Sequence, residues 1–263
     1  SSLSVIAIAG QLTAQSLPTS MRWFTHLNEE LMPFWMTKDA IGSPAGAFPS
    51  TRCDDGAAVD PRRPCTEVSR NSWLMQLQRH LVAQSRQTYG YGVAFHMTGD
   101  RRYLELARAG VDYMRTNAVD RARGGMYTLE DPRTGSWGPR AELRNPQELA
   151  YGLLGMTFYY YLTRDPEVLA DIEFVKDYVF REYYNPSLNA LQWQLEDSTG
   201  QSKEDKKLVA QLDQMNAYLV MITPLLPEPR RSEWTADLVR LSRIMIGQFY
   251  STNENVLFLQ SNR

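Results

Sequence analysis

The stretch His80-Leu81-Val82-Ala83-Gln84-Ser85-Arg86-Gln87-Thr88-Tyr89-Gly90-Tyr91-Gly92-Val93-Ala94-Phe95-His96-Met97 sets the terms for the whole chain. Leu81, Val82, Tyr89, Val93 and Phe95 leave little polar surface, so the segment from about Trp73 to Met97 reads as a mostly buried helix with Arg86 in its middle. A guanidinium there has two readings. It pairs with a carboxylate or reaches water along its apolar stem. Alternatively it stands on a cavity wall, where its fork can bond two oxygens of a polar ligand at once.

Upstream, Trp23, Phe24, Leu27, Leu31 and Phe34 recur at helical spacing from Met21 to about Trp35, with Pro33 near the end to help stop the helix. A loop from Gly42 to Arg70 follows, its turns marked by Gly46-Ala47-Phe48 and Asp54-Asp55-Gly56. Cys53 and Cys65 lie in this loop, either as two free thiols or as a small disulfide ring if the protein is exported.

Downstream, the chain repeats. Thr98-Gly99-Asp100, Thr163-Arg164-Asp165-Pro166 and Leu226-Pro227-Glu228-Pro229 each open an amphipathic helix, and the openings lie about 65 residues apart. After each helix comes a short extended piece: Gly124 to Leu129, Ala190 to Leu195, and Val256 to Leu259. Apolar helices return at Pro146 to Leu162 and Val209 to Leu226. Such units cannot bury their apolar faces alone, so the pattern predicts stacked helical hairpins. Apolar helices line the centre, the three openers face water, and the β-hairpins gather at one end around a pocket. The fold class expected is all-α, an (α/α) toroid of helical hairpins with short β-hairpins at the pocket end. About seven helices, an odd number, lead us to expect part of a ring, completed by further chain, another copy or a partner.

Composition narrows the function. A chain of 263 residues predicts one large domain or two small ones, and its 14 tyrosines suit a core that meets a polar cavity. A net charge of -2 gives no argument for nucleic acid or an anionic membrane surface, and no apolar run approaches the roughly 18 residues of a membrane span. A small polar ligand fits better. There is no Gly-rich phosphate loop, no His-Glu-x-x-His and no Cys/His cluster, so neither cofactor nor metal is indicated. Residues 1–20 lack any charged side chain and read as a leader or signal-peptide remnant, with the domain proper spanning 21–263. Localisation stays open between cytoplasmic and periplasmic or secreted.

The run Arg79 to Arg86, Gly46-Ala47-Phe48 with a following Asp-Gly, the Gly124-Gly125-Met126-Tyr127 hairpin and the Gln147-Glu148-Leu149-Ala150-Tyr151-Gly152-Leu153-Leu154-Gly155 helix together resemble the N-acylglucosamine 2-epimerase family, which includes cellobiose 2-epimerases and mannose isomerases. That resemblance covers most of the chain from Met21 on. It implies an (α/α) toroid of six hairpins, in all roughly 390 residues, so this chain would supply the first two thirds or so. It also implies an isomerase or epimerase acting at carbon 2 of a free mono- or oligosaccharide. The carbon-2 proton is removed beside the open-chain carbonyl and returned to the other face, or to carbon 1, through an enediolate.

By the same resemblance, Arg86 is the sugar-binding arginine and Tyr127 an aromatic on the rim; Tyr89, Gln147 and Asn216 complete the candidate substrate-binding set. The family's two catalytic histidines belong to later hairpins, and His26, His80 and His96 match neither. Leu149 stands where the family often has His or Gln, and Met215-Asn216 where it usually has Met-His. Within this chain, the base would have to be Glu148, Asp213 or a rim histidine, and both carboxylates also read as groups stabilised near helix N-termini. Two other functions stay open: a carbohydrate-binding protein that has lost catalysis, supported by Leu149 and Asn216, and a polysaccharide-processing glycosidase using Glu148 with Asp213. The expected partner is a sugar, with a homodimer as a further possibility.

Overall fold

The computed structural model describes residues 17–67, 78–131, 133–138, 144–195 and 205–260. Most of the expected leader, and the expected helix start at Trp73, lie outside the described residues. Helix α1 spans residues 20–35 as an α-helical turn (Ser20–Thr25), a π-helical segment (His26–Leu31) and a last turn (Met32–Trp35) that accommodates Pro33 in its first positions. A short helix α2 (Lys38–Ile41) opens the loop that follows. Three helical pairs then succeed one another: α3 (Leu81–Thr98) with α4 (Arg101–Asn117), α5 (Pro146–Thr163) with α6 (Pro166–Glu182), and α7 (residues 208–225) with α8 (Arg230–Phe249).

Local chemistry sets these boundaries. The Asp100 carboxylate caps α4 by accepting from Arg102 N at 3.0 Å, and Asp165 caps α6 with Pro166 in its first turn, where no N–H is needed. Asn145 does the same for α5, accepting from Glu148 N at 3.0 Å ahead of Pro146. Helix α3 ends on Gly99 at φ 72°, a left-handed position that suits glycine, and α5 ends on Arg164 at φ 60°.

The expected inner and outer roles hold. Helix α5 buries residues on most of its circumference, Leu149, Ala150, Leu153 and Met156 among them. Helix α4 buries only the stripe Tyr103, Ala107, Gly110, Val111 and Met114. Inner helices α3, α5 and α7 form a row with α5 in the middle; α4 packs on α3 and α5, α6 on α5, and α8 on α7. At one end of the row lie the hairpins. Strands β1 (Arg79–His80), β2 (Leu129–Asp131) and β3 (Ser136–Gly138) form an antiparallel sheet in that order. Two-stranded ladders join β4 (Tyr184–Asn185) to β5 (Ala190–Leu191) and β6 (Tyr250–Ser251) to β7 (Val256–Leu257). The first hairpin starts later than the sequence suggests. Gly124 and Gly125 form a turn at φ 92° and 71°, packed so close to Tyr178 that a Cβ on Gly124 would lie 2.4 Å from that ring.

Two buried glutamines fix the rim to the inner helices. Gln84, in the first turn of α3, accepts from Phe48 N at 2.9 Å and donates to Gly46 O at 2.6 Å. Gln211, at the same place in α7, accepts from Leu191 N at 3.0 Å and donates to Leu191 O at 2.6 Å. Each amide satisfies one backbone N–H and one backbone C=O of a buried segment.

Cys53 and Cys65 are joined in a disulfide, Cα atoms 5.9 Å apart and 12 residues apart in sequence, which settles that alternative. Their loop packs on α1 through Arg52, whose guanidinium lies 4.1 Å from the Phe34 ring centroid and 4.5 Å from that of Trp35. Replacing both cysteines with serine is expected to lower stability by about 2–3 kcal/mol, as for a crosslink closing a loop of this length. Urea melts of the variant and of the unreduced protein check this, and superimposed curves would show that the crosslink adds nothing. No helix among the described residues is long and apolar enough to cross a membrane.

Candidate functional site

Polar groups converge where the first two turns of α3, α5 and α7 come together. Arg86 is exposed rather than buried: α3 turns Leu81, Gln84, Ser85, Thr88, Tyr91, Gly92 and Ala94 inward and leaves Arg86 and Gly90 on its open face. The buried-helix reading took the apolar residues as the core, whereas Gln84 and Ser85 hold that place by bonding across to the loop and the next helix, and Thr88 by donating back to Gln84 O of its own helix.

The Arg86 guanidinium lies 4.6 Å from the ring centroid of Tyr151 on α5. Within the first turn of the same helix are Gln147 and Glu148, positioned by the Asn145 cap. Gln147 Nε2 donates to Asp213 Oδ2 of α7 at 2.6 Å. Helices α5 and α7 are registered by the fully buried Gln214, which donates to Pro146 O at 2.7 Å and accepts from the Tyr218 hydroxyl at 2.9 Å. One arginine, two carboxyls, an amide and a phenol therefore meet.

The two carboxyls differ. Burial pushes Glu148 above the usual carboxylate range, opposed by the charge of Arg86, and its carboxyl has no hydrogen-bond partner among the described residues. Burial also pushes Asp213 up, opposed by donors on Gln147 and Tyr151 and by Arg86. Glu148 is thus free to exchange a proton, while Asp213 is engaged as an acceptor. Asp213 is the sixth residue of its helical segment, Leu208–Gln214, beyond the first turn where the dipole acts, which corrects that reading.

Of the expected ligand-binding residues, Arg86 and Gln147 are brought together with Glu148 and Asp213. Tyr89 stands apart, its ring 4.9 Å from that of Phe158, and with Arg86 it lines a largely apolar groove of about 800 Å³ between α3 and α1. Tyr127 is half-buried beside Asp120, Arg123 and Arg144, the residues whose charges bear on its hydroxyl. Asn216 is exposed in the π-helical segment Met215–Leu219, just beyond Asp213. Leu149 is fully buried, at the place in α5 that Gln84 and Gln211 occupy in α3 and α7. It fills core and does not face the site, so it is no measure of lost catalysis. Tyr151 was missed by sequence reasoning, although its four-residue spacing from Gln147 places both on one helical face. Cys53, Cys65 and Glu67 cluster tightly, but the two sulfurs are bonded to each other and offer no thiolate to a metal.

No family model matches the chain. In sequence it is similar to cellobiose 2-epimerase of Ruminococcus albus, 26% identical over 151 residues, which is 52% of this chain and 37% of that protein. In structure it is similar to a sugar epimerase from a ruminal bacterium, with TM-score 0.69, 17% identity and coverage of 91% of this chain and 58% of that one. D-mannose isomerase gives TM-score 0.66 and 19% identity over 88% and 52% of the two chains. The unsaturated glucuronyl hydrolase of Bacillus sp. GL1 gives 0.56 and 15% over 69% and 50%. The chain thus spans little more than half the length of these structures. The resemblance read from the sequence is met by these relatives, and the fold is the (α/α) toroid type that sugar epimerases and glucuronyl hydrolases share.

Proposed function

We propose that this relative of the sugar epimerases and isomerases binds a free mono- or oligosaccharide in its open-chain form and moves the proton on carbon 2. The observation that carries the reading is the meeting of Arg86 with a free carboxyl and an engaged one, Glu148 and Asp213, both made easier to protonate by burial. A proton beside a carbonyl is weakly acidic, so its removal needs a base of raised pKa and a donor for the enediolate oxygen. Glu148 takes the proton and Arg86 bonds the carbonyl oxygen as negative charge grows on it. Delivery to carbon 1, with the proton on oxygen 2 passing to oxygen 1, gives a ketose; delivery from a proton donor on the opposite face of carbon 2 gives the epimer. Asp213, held by Gln147, accepts from a sugar hydroxyl and fixes the chain's orientation. Support comes from the relatives, cellobiose 2-epimerase in sequence and sugar epimerase and D-mannose isomerase in fold.

The test is proton exchange. Incubated in heavy water with cellobiose, glucose or mannose, the protein is expected to exchange the carbon-2 proton, followed by NMR. Binding without exchange would instead identify a carbohydrate-binding protein, and release of reducing ends from a polymer a hydrolase. Glu148→Gln is expected to slow exchange by about 10²–10⁴-fold. The same substitution is expected to raise the melting temperature at neutral pH. A carboxyl whose pKa is raised on folding opposes folding once pH exceeds its unfolded value, so the gain disappears as pH falls below about 4.3. Equal melting temperatures at pH 7 would show that burial of Glu148 carries no such penalty.

A further inference from the structure

We infer that Tyr151 is a positioning residue that joins the two halves of the site, holding Arg86 on its ring face and the Asp213 carboxyl at its hydroxyl. The inference rests on the reading of this cluster as a sugar-binding centre. Three observations carry it. The Arg86 guanidinium lies 4.6 Å from the Tyr151 ring centroid, within cation–π range. Gln147 and Tyr151 are four residues apart on α5, hence on one face, and Gln147 Nε2 is 2.6 Å from Asp213 Oδ2. The Tyr151 hydroxyl, on that same face, favours the ionised form of Asp213 alongside the amide.

Asp213 therefore has two neutral donors on α5 and one cation, Arg86, on α3. Helix α8, packed against α7 on another side, brings Ser242 to Met215 and no charged group to bear on Asp213 among the described residues. The phenol has a double effect. Its hydroxyl favours the ionised form of Asp213, opposing burial, and its ring limits where Arg86 can swing from an exposed helix face. Glu148, one helical turn before Tyr151, has no such donor among the described residues, so the phenol sets the two carboxyls apart in their readiness to bind a proton.

Carboxyl-carbon NMR titration of the full chain without ligand tests this independently of turnover. Tyr151→Phe is expected to move the Asp213 midpoint further up and leave that of Glu148 in place; an unmoved Asp213 overturns the inference. In the unsubstituted chain, the labelled phenol carbon of Tyr151 is expected to follow the Asp213 midpoint, and a flat signal overturns it without any variant. Tyr151→Leu is expected to weaken cellobiose binding by about two- to fivefold, the loss of one exposed cation–π contact, while Tyr151→Phe, which keeps a ring, does not. If the unsubstituted chain neither binds nor exchanges any sugar, the proposed function fails, whereas the ligand-free titration still decides the role of Tyr151.

Discussion

Arg86→Ala is expected to reduce carbon-2 exchange by about 10²–10³-fold, the usual consequence of removing one donor to a developing oxyanion. Stability should change by less than about 1 kcal/mol, because the side chain is on the exposed face of α3 and no core group loses its hydrogen bond. The effect has a second part. Arg86 is the charge that opposes burial at both Glu148 and Asp213, so its removal raises both carboxyls further and moves the acid limb of the pH profile up. Arg86→Lys keeps the charge but loses the planar fork and the stacking on Tyr151, so it should restore the pH profile better than the rate. Exchange rates and thermal melts of the three proteins check this, and a collapsed melting temperature in Arg86→Ala would return Arg86 to a structural role.

Gly155→Val is expected to cost about 3 kcal/mol, the upper end for overpacking, and to lower the melting temperature by roughly 6–12 °C for a domain of this size. A Cβ at Gly155 would lie 2.5 Å from Ser85 O and 2.7 Å from the Thr88 Cβ, and backbone cannot step aside as a flexible side chain can. Gly155 N also donates to Ser85 Oγ at 2.8 Å, so the contact is bonded as well as close. Activity should fall with stability, because Ser85 precedes Arg86 and Gly155 follows Tyr151 by one turn. Widening the α3–α5 contact separates the guanidinium from the ring beneath it. Gly247→Ala on α8 is the control: nothing lies within 4 Å of its added Cβ, and a helical Gly→Ala change is neutral or mildly stabilising. A melting temperature for Gly155→Val equal to that of the control would mean that the helices have room to separate.

The helical repeat was legible because its punctuation is local. Asp100, Asp165 and Asn145 cap the next few N–H groups, Pro166 and Pro146 sit where a helix can begin, and Gly99 ends one, all visible within a few residues of sequence. Inner and outer roles followed from the same local pattern, since α4 carries one apolar stripe and α5 is apolar nearly all round. The site was legible in part. Arg86, Gln147, Glu148 and Asp213 were named, but neither the burial of Leu149 nor the separation of Tyr127 from the cluster could be read. The first depends on contacts with helices more than sixty residues away and the second on neighbours around its own turn, Asp120, Arg123 and Arg144, and neither leaves a periodic trace. Polar residues on the packed face of α3 misled for a related reason: Gln84 and Ser85 find their partners on other segments and Thr88 finds its own one turn back, so hydropathy counts them as surface.

The glutamine clamps at the starts of α3 and α7 carry no charge in either protonation range of interest. Gln84 and Gln211 grip the backbone of the loop and the second hairpin identically at acid and neutral pH. These two tie points therefore stay put while Glu148 and Asp213 gain or lose protons beside them. A bell-shaped activity curve would accordingly report the charge of Glu148 and Asp213, the carboxyls of the proposed site, rather than movement of the frame at these anchors.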